Sequence, residues 1–588
     1  MAKETKQQTT TGYKRTDLVS LLISLAILVL IGVAGDLIFF KIDLTEERRH
    51  TLTPATINML ENLDDDVFVR CYLTGDFPAM FKRLEKSIQE RLDEFNDYSG
   101  GRVSYEFINP YASGDEKTIG ETEEALYKEG LRFTRIAYEE NGVRKFQNVW
   151  PSAMLTYKGT SIPIQFFKSE NPDPSDEMIN QSVNNIEFEF ASRMRMLLRS
   201  KRPAIAILDG QRGPTPIETA DLVESLKESY DVERVELKEK LNALSEKLDG
   251  MPRRTNKYDL LIVAKPDSAF SNQNKLIIDQ FIMNGGRVLW LVDPLRTSLD
   301  SLRAKQQVLA ESNELGLYDM LFDYGVRVNR NLIIDYQCAL IMLDGGPMGN
   351  QRNMQMANWY FAPVVIPTNE VHPIVSNLDP IHFDFVSSLD TVGGNPLISK
   401  TVLLRSSDLS IERKAPVRVN ASIAELELDY FENGPHQSYP LAVLLEGEFT
   451  SNFTGRLPDT LVRNPDFAYM EKSLPTRMIV VGDGDIIRNK VMPVQGGYQP
   501  LPLGFDRYAN RVIYDNKEFL LNAINYLLDD TELIAVRSRT IELRQLNKSS
   551  IRENRGMIQL LNVALPLVLI VAMGSIVIVI RKRKYSKS

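Results

Sequence analysis

The sequence predicts an α/β protein anchored by two terminal transmembrane helices, with a water-soluble region of roughly 500 residues between them. Three observations predict it. Leu18 to Gly35 (LVSLLISLAILVLIGVAG) and Ile558 to Ile580 (IQLLNVALPLVLIVAMGSIVIVI) are uncharged apolar runs of about the 20 residues that a helix needs to cross a hydrocarbon core. Between them, short apolar runs suited to strands alternate with stretches whose apolar residues recur at helical spacing. The composition, 43% hydrophobic and 25% charged, is that of a globular chain and lacks the signature of disorder.

Residues 1–17 form a polar tail and 18–40 the first span. The apolar core of this segment exceeds the roughly 7–15 residues of a signal peptide, although Val33-Ala34-Gly35 leaves cleavage open. Asp36 is read as an interfacial carboxylate. Residues 557–580 form the second span, in which Pro566 is tolerable, and 581–588 a basic tail opening with Arg581-Lys582-Arg583-Lys584. That tail, with Lys3, Lys6, Lys14 and Arg15, puts both termini in the cytoplasm by the positive-inside rule. Residues 41–557 then lie outside it, because long loops cross largely regardless of charge.

Residues 41–200 are read as an N-terminal α/β domain. Thr53-Pro54 is a helix start, with Thr as N-cap and Pro at the first helical position. A helix 55–63, a strand 67–73, a helix 81–98 with Leu84, Ile88, Leu92 and Phe95 in register, and a strand 103–108 make a β-α-β unit. Strand-like runs follow at 153–157 and 162–167, then an amphipathic stretch 178–198.

Residues 201–300 open a second α/β domain. Strands are expected at 204–208, 232–237, 258–264 and 287–292, with helices at 219–229 and 273–284, the latter stopped by Gly285-Gly286. Strands separated by helices rather than two-residue hairpins indicate a parallel sheet covered on both faces. The pattern resumes over 476–530, with a strand at 477–481 and a helix at 517–528. Residues 301–475 are an insertion or an elaborated second half, with strand-like runs at 401–405 and 441–446 and an irregular stretch from Asp344 to Asn358. Residues 531–556 are a charged juxtamembrane stalk.

A net charge of −9 argues against a nucleic-acid surface. Cys71 and Cys338, the only cysteines, are read as separate buried thiols, and the four histidines lie in no zinc-binding spacing. Gly345-Gly346-Pro347-Met348-Gly349 lacks the Gly-Lys-Ser/Thr ending of a phosphate-binding loop, and no GxSxG elbow is present. No catalytic residue, cofactor site or metal site is assigned. The candidates that remain are Asp209, Asp293, Asp483 and Asp485, at or just beyond the ends of predicted strands. Open α/β sheets bind ligands outside those ends, so the acids are candidates for a cation or polar ligand. The alternative is that they cap helices or shape turns.

The chain resembles the GldG family of gliding-motility auxiliary components of ABC transporters. The resemblance rests on order and spacing: Asp43-Leu44-Thr45 and Thr51-Leu52-Thr53-Pro54 after the first span; Tyr258 to Val263; Phe281-Ile282-Met283-Asn284-Gly285-Gly286-Arg287 before a strand ending in Asp293-Pro294; Val480-Val481-Gly482-Asp483; and the closing basic membrane helix. It implies a glutamine-amidotransferase-like parallel-sheet domain without its active site. Relatives often carry Gly-His-Gly-Glu after the first strand, where this chain has Asp209-Gly210-Gln211-Arg212-Gly213. The family also implies an ABC permease and a cytoplasmic ATPase as partners, an inner-membrane location with a periplasmic bulk, contact with cargo or envelope proteins, and a role in gliding or linked secretion. The expectation is therefore a non-catalytic accessory subunit embedded in the lipid bilayer. An envelope scaffold binding glycan or protein without a transporter, or a periplasmic hydrolase or amidotransferase-like enzyme, are the other readings.

Overall fold

A computed structural model describes residues 51–112, 115–140, 143–167, 174–199, 201–248, 251, 253–297, 307–348, 351–367, 372–376, 378–393, 395–529 and 555–585, with isolated positions at 19, 22–23, 25–27, 299 and 302. Most of the first predicted span, and residues 531–554 of the predicted stalk, lie outside the described residues.

Thr53 starts the first helix, α1 (Pro54–Glu61), as its sequence signal requires. Its hydroxyl accepts from the Thr56 N–H at 3.4 Å and donates to Glu187 Oε1 at 2.9 Å. Next come β1 (Val67–Cys71), α2 (Ala79–Tyr98) and β2 (Val103–Phe107), with β1 and β2 paired in parallel. The α2 stripe of Leu84, Ile88, Leu92 and Phe95 is buried against this sheet. Burying each such side chain stabilises by about 1.5–3 kcal/mol. Beyond them stand α3 (Glu116–Lys128) and an antiparallel pair, β3 (Thr134–Glu140) and β4 (Val143–Val149). A hairpin, β5 (Ser152–Tyr157) and β6 (Thr160–Gln165), completes a sheet ordered β2-β1-β5-β6. It turns on Lys158-Gly159, both with positive φ. The long helix α4 (Asp176–Leu198) packs Ile179, Ile186, Phe190 and Met194 into the same core.

The larger sheet contains β7 (Ala204–Asp209), β8 (Asp231–Glu236), β9 (Leu260–Ala264) and β10 (Arg287–Leu291), with α5 (Ala220–Lys227) and α6 (Asn272–Met283) as crossovers. Strand β9, LLIVA, is buried at every position. Leu260, Ile262 and Ala264 face one core, with α5, and Leu261 and Val263 face another, with α6. A strand covered on both faces can be apolar throughout, which is why its sequence does not alternate.

The region read as irregular, 344–358, instead belongs to a long antiparallel hairpin. It follows β11 (Asn331–Asp335) and consists of β12 (Cys338–Met348) and β13 (Gln351–Val365), with register shifts between Cys338 and Leu340 and between Asp344 and Pro347. Its Gly, Pro and Asn content marks bulges rather than a loop. The last sheet strands are β14 (Ile398–Arg405), β15 (Pro440–Gly447) and β16 (Thr476–Val481), followed by α7 (Asn516–Leu527). Among the described residues the large sheet runs β14-β15-β16-β10-β9-β7-β8. The sequence reading made this sheet parallel, and the structure corrects it to a mixed one. Strands β16, β10, β9, β7 and β8 are parallel, but β15 runs antiparallel to β16 and β14 antiparallel to β15. The molecule is therefore mixed α/β.

The last described helix, α8 (Arg555–Tyr585), forms part of a separate compact unit. Its stretch Leu560–Ile580 has a mean hydropathy of 3.0 and, among the described residues, is the helix long and apolar enough to cross a membrane.

Candidate functional site

The parallel strands β16, β10, β9 and β7 end side by side, about 4.8 Å apart. Whatever follows each strand is thus delivered to one edge. After β9 comes Lys265, after β10 Asp293, and after β16 Asp483 and Asp485. The Lys265 ammonium donates to Asp293 Oδ2 and, at 2.5 Å, to Asp485 Oδ2. Asp293 also accepts from the Gly484 N–H at 2.5 Å. Arg488 donates to Asp485 Oδ1 at 2.7 Å and through Nε and Nη2 to Glu218 Oε1. Glu218 in turn receives the N–H and hydroxyl of Thr215, at 2.8 and 2.7 Å, in a capping box. One chain of charge-assisted bonds therefore runs from Asp293 through Lys265, Asp485 and Arg488 to Glu218.

Asp483 is wholly buried and, among the described residues, pairs with no cation. Its oxygens accept the N–H groups of Asp384 at 2.8 Å and Asp485 at 2.6 Å. Burial, with Asp293, Asp485 and Asp384 close by, pushes its carboxyl well above the ordinary range. Burial also raises Asp293, with Lys265 opposing. For Asp485 burial is outweighed by Lys265 and Arg488, and its carboxyl is held below the ordinary value.

The local backbone explains the Gly482-Asp483-Gly484-Asp485 sequence. A Cβ at Gly482 would stand 2.1 Å from the Ser387 carbonyl oxygen, and one at Gly484 2.7 Å from Lys265 Cβ. Lys265 itself has φ +40°, a left-handed conformation rare for a side chain of its size.

Of the four acids singled out from sequence, the structure brings together Asp293, Asp483 and Asp485. Asp209 stands apart, paired with Arg234 of β8 at 3.4 Å. Among the described residues no group of three or more His, Cys, Asp or Glu is placed to hold a metal ion. Sequence reasoning missed Lys265, Arg488 and Glu218. Lys265 was visible as the first charged residue after LLIVA, and Glu218 through the Thr215-Pro216-Ile217-Glu218 capping signature.

The cysteines offer no nucleophile here. Cys71 is buried in the smaller sheet, where burial raises its thiol, and burial pushes the Cys338 thiol up to about 12. A thiol so held is poorly ionised and unreactive.

Fold and site together define a class: a mixed α/β protein in which, among the described residues, Lys265 and Arg488 engage Asp293, Asp485 and Glu218 at the ends of the parallel strands. The particular family follows from sequence comparison. Residues 202–523 match the family described as an ABC-type uncharacterized transport system, and the chain belongs to that family. Residues 46–156 match a domain of unknown function (DUF7088). The chain is similar to an uncharacterized protein of Borreliella burgdorferi, 21% identical over 448 residues, covering 75% of this chain and 79% of that one. Among solved structures, the mmIFT52 N-terminal domain overlaps 56% of this chain and 98% of its own, at 12% identity and a TM-score of 0.30, too low to bear on fold or function.

Proposed function

We propose that this chain is a non-catalytic accessory subunit of an ABC transport complex, of the gliding-motility type that its sequence resembles. The observation that carries the reading is the transport-system family match over 202–523. Two further features support it. The apolar stretch Leu560–Ile580 is followed by Arg581, Lys582, Arg583 and Lys584, the pattern of a span with a cytoplasmic end. Of the strand-end acids, Asp293 and Asp485 are engaged by Lys265 and Arg488 and Asp209 by Arg234.

In this reading both termini are cytoplasmic at the inner membrane, and residues 41–557 reach the periplasm to contact cargo or envelope proteins. A multi-span permease binds the membrane helices, and a cytoplasmic ATPase binds the permease. The test is affinity purification of the tagged chain from gently solubilised membranes, with mass spectrometry of what accompanies it. A permease and an ATPase in fixed ratio are expected. Recovery of envelope proteins alone would overturn the transporter reading in favour of an anchored scaffold.

A further inference from the structure

The parallel part of the large sheet has the spatial order β16-β10-β9-β7-β8. Chain order reverses direction between β7 and β9. From β7 the chain crosses through α5, on one face, to β8; from β9 it crosses through α6, on the opposite face, to β10. Two neighbouring strands whose connections leave to opposite faces cannot both have their ends covered, so a crevice opens there. A cavity of about 370 Å³ lies at this edge, within the size range of small-molecule sites.

Its wall carries Arg212, Lys265, Arg296 and Arg488 against Glu218, Asp267 and Asp293. Each of these acids already faces a cation: Asp293 holds Lys265, Glu218 holds Arg488, and Asp267 lies 3.3 Å from Arg296. Lys265 and Arg488 also share Asp485 outside the wall. Arg212 is left over. Among the described residues no acid pairs with it, and it stands exposed on the loop after β7. A second unsatisfied group shares the wall: the buried Thr297 hydroxyl oxygen has no hydrogen-bond partner among the described residues. Unpaired polar groups gathered on one cavity wall are satisfied most directly by a ligand that accepts hydrogen bonds.

We propose that this switch-point cavity binds a small organic anion, through a carboxylate or phosphate group held by the Arg212 guanidinium, with the Thr297 hydroxyl donating to the same ligand. A planar guanidinium matches both anions as a two-pronged donor. The ion pairs that Lys265, Asp293 and Arg488 make at the wall stay intact. The inference does not depend on a transporter partner.

The test uses the full chain in detergent, titrated at constant ionic strength with succinate, glycerol 3-phosphate and inorganic phosphate, by calorimetry and thermal unfolding. At least one of the three is expected to bind and raise the melting temperature above the matched chloride control. The carboxylate and phosphate arms then identify the anion class. Arg212→Gln should weaken that binding by about tenfold or more, the loss of one charge-assisted contact. It should leave unliganded melting unchanged, because Arg212 is exposed and pairs with no acid among the described residues. Thr297→Val, a second variant, should weaken binding by a smaller factor. No binding by any of the three anions, or equal binding by wild type and Arg212→Gln, would overturn the proposal.

Discussion

The ends of β16, β10 and β9 and the neighbouring end of β7 lie along one edge of one sheet, and both carry acids and bases, yet they are finished differently. On the first side Lys265 and Arg488, with side chains 19% and 31% exposed, tie together Asp293, Asp485 and Glu218, whose side chains are 13%, 12% and 19% exposed. On the second, Asp209 and Arg234 meet at 3.4 Å with side chains 37% and 21% exposed, and Arg212 pairs with no acid among the described residues. An acid at a strand end is therefore not by itself a ligand site. Where cations reach it out of water it becomes a structural lock; where the topology leaves the edge open, the charge stays available.

The largest expected effect comes from opening the lock. Lys265→Met keeps the length of the stem and removes the charge, leaving Asp293 without its cation in a buried setting while Asp485 keeps Arg488. Removing one partner of a buried ion pair costs about 3–5 kcal/mol, because the other charge is left uncompensated. We expect a loss of that size near neutral pH from denaturant or thermal unfolding of the purified chain, with partial recovery as acidification protonates the acids. A loss below about 1 kcal/mol would mean that the closed side is no lock.

A third carboxylate sharpens the contrast. Asp279 of α6 is fully buried and, among the described residues, accepts only neutral donors: the Tyr324 hydroxyl and Asn452 N–H, both at 2.8 Å, the Ser451 hydroxyl at 2.7 Å and the Gln280 amide at 3.0 Å. Without a cation, burial outweighs these donors and raises its carboxyl above the ordinary 3.8. The two acids then respond to pH with opposite sign. Asp279 holds its proton more tightly folded than unfolded, so its contribution is fully present below pH 3.8 and is lost as pH rises through its folded value. Asp485, held below 3.8 by Lys265 and Arg488, contributes above pH 3.8 and loses that contribution as pH falls through its lower folded value. Asp279→Asn should cost about 1–3 kcal/mol below pH 3.8, where a protonated carboxyl gives way to a less well matched neutral group. That cost should shrink towards pH 7, and a pH-independent cost would show that Asp279 does not titrate in the folded state.

The closed side was partly legible in the sequence. LLIVA before Lys265, RVLWL before Val292-Asp293 and RMIVV before Gly482-Asp483 mark buried strands by unbroken apolar runs, and acids just beyond them invite attention. Their partners were not legible. Lys265 reaches Asp485 across 220 positions, and Arg488 reaches Glu218 across 270, so only the strand order brings them together. The direction of β14 and β15 was hidden for a related reason: LAVLL is buried at each position whichever way its neighbour runs. Helix α3, EKTIGETEEALYK, was invisible to apolar periodicity because it is largely exposed, with Leu126 as its buried anchor. The hairpin of β12 and β13 was obscured by the glycine and proline at its own bulges.

The smallest effect tests the open side directly. Asp209→Ala removes a carboxylate that sits partly in water and contacts Arg234 at 3.4 Å. Arg234 keeps two other partners, donating to the Thr219 hydroxyl at 2.7 Å and the Pro214 carbonyl at 3.2 Å, so its charge is not stranded. Exposed pairs of this kind contribute about 0–1 kcal/mol, and the substitution should cost no more than that. It should also lose any measurable cost at high salt, where screening removes what remains of the attraction. Side by side with Lys265→Met, the outcome separates two explanations of the sheet edge. If Asp209→Ala costs as much as opening the lock, the acids at all the strand ends act as one electrostatic unit, and the distinction between a closed side and an open one is wrong. If it costs little, burial rather than position along the edge decides which of these acids hold the fold.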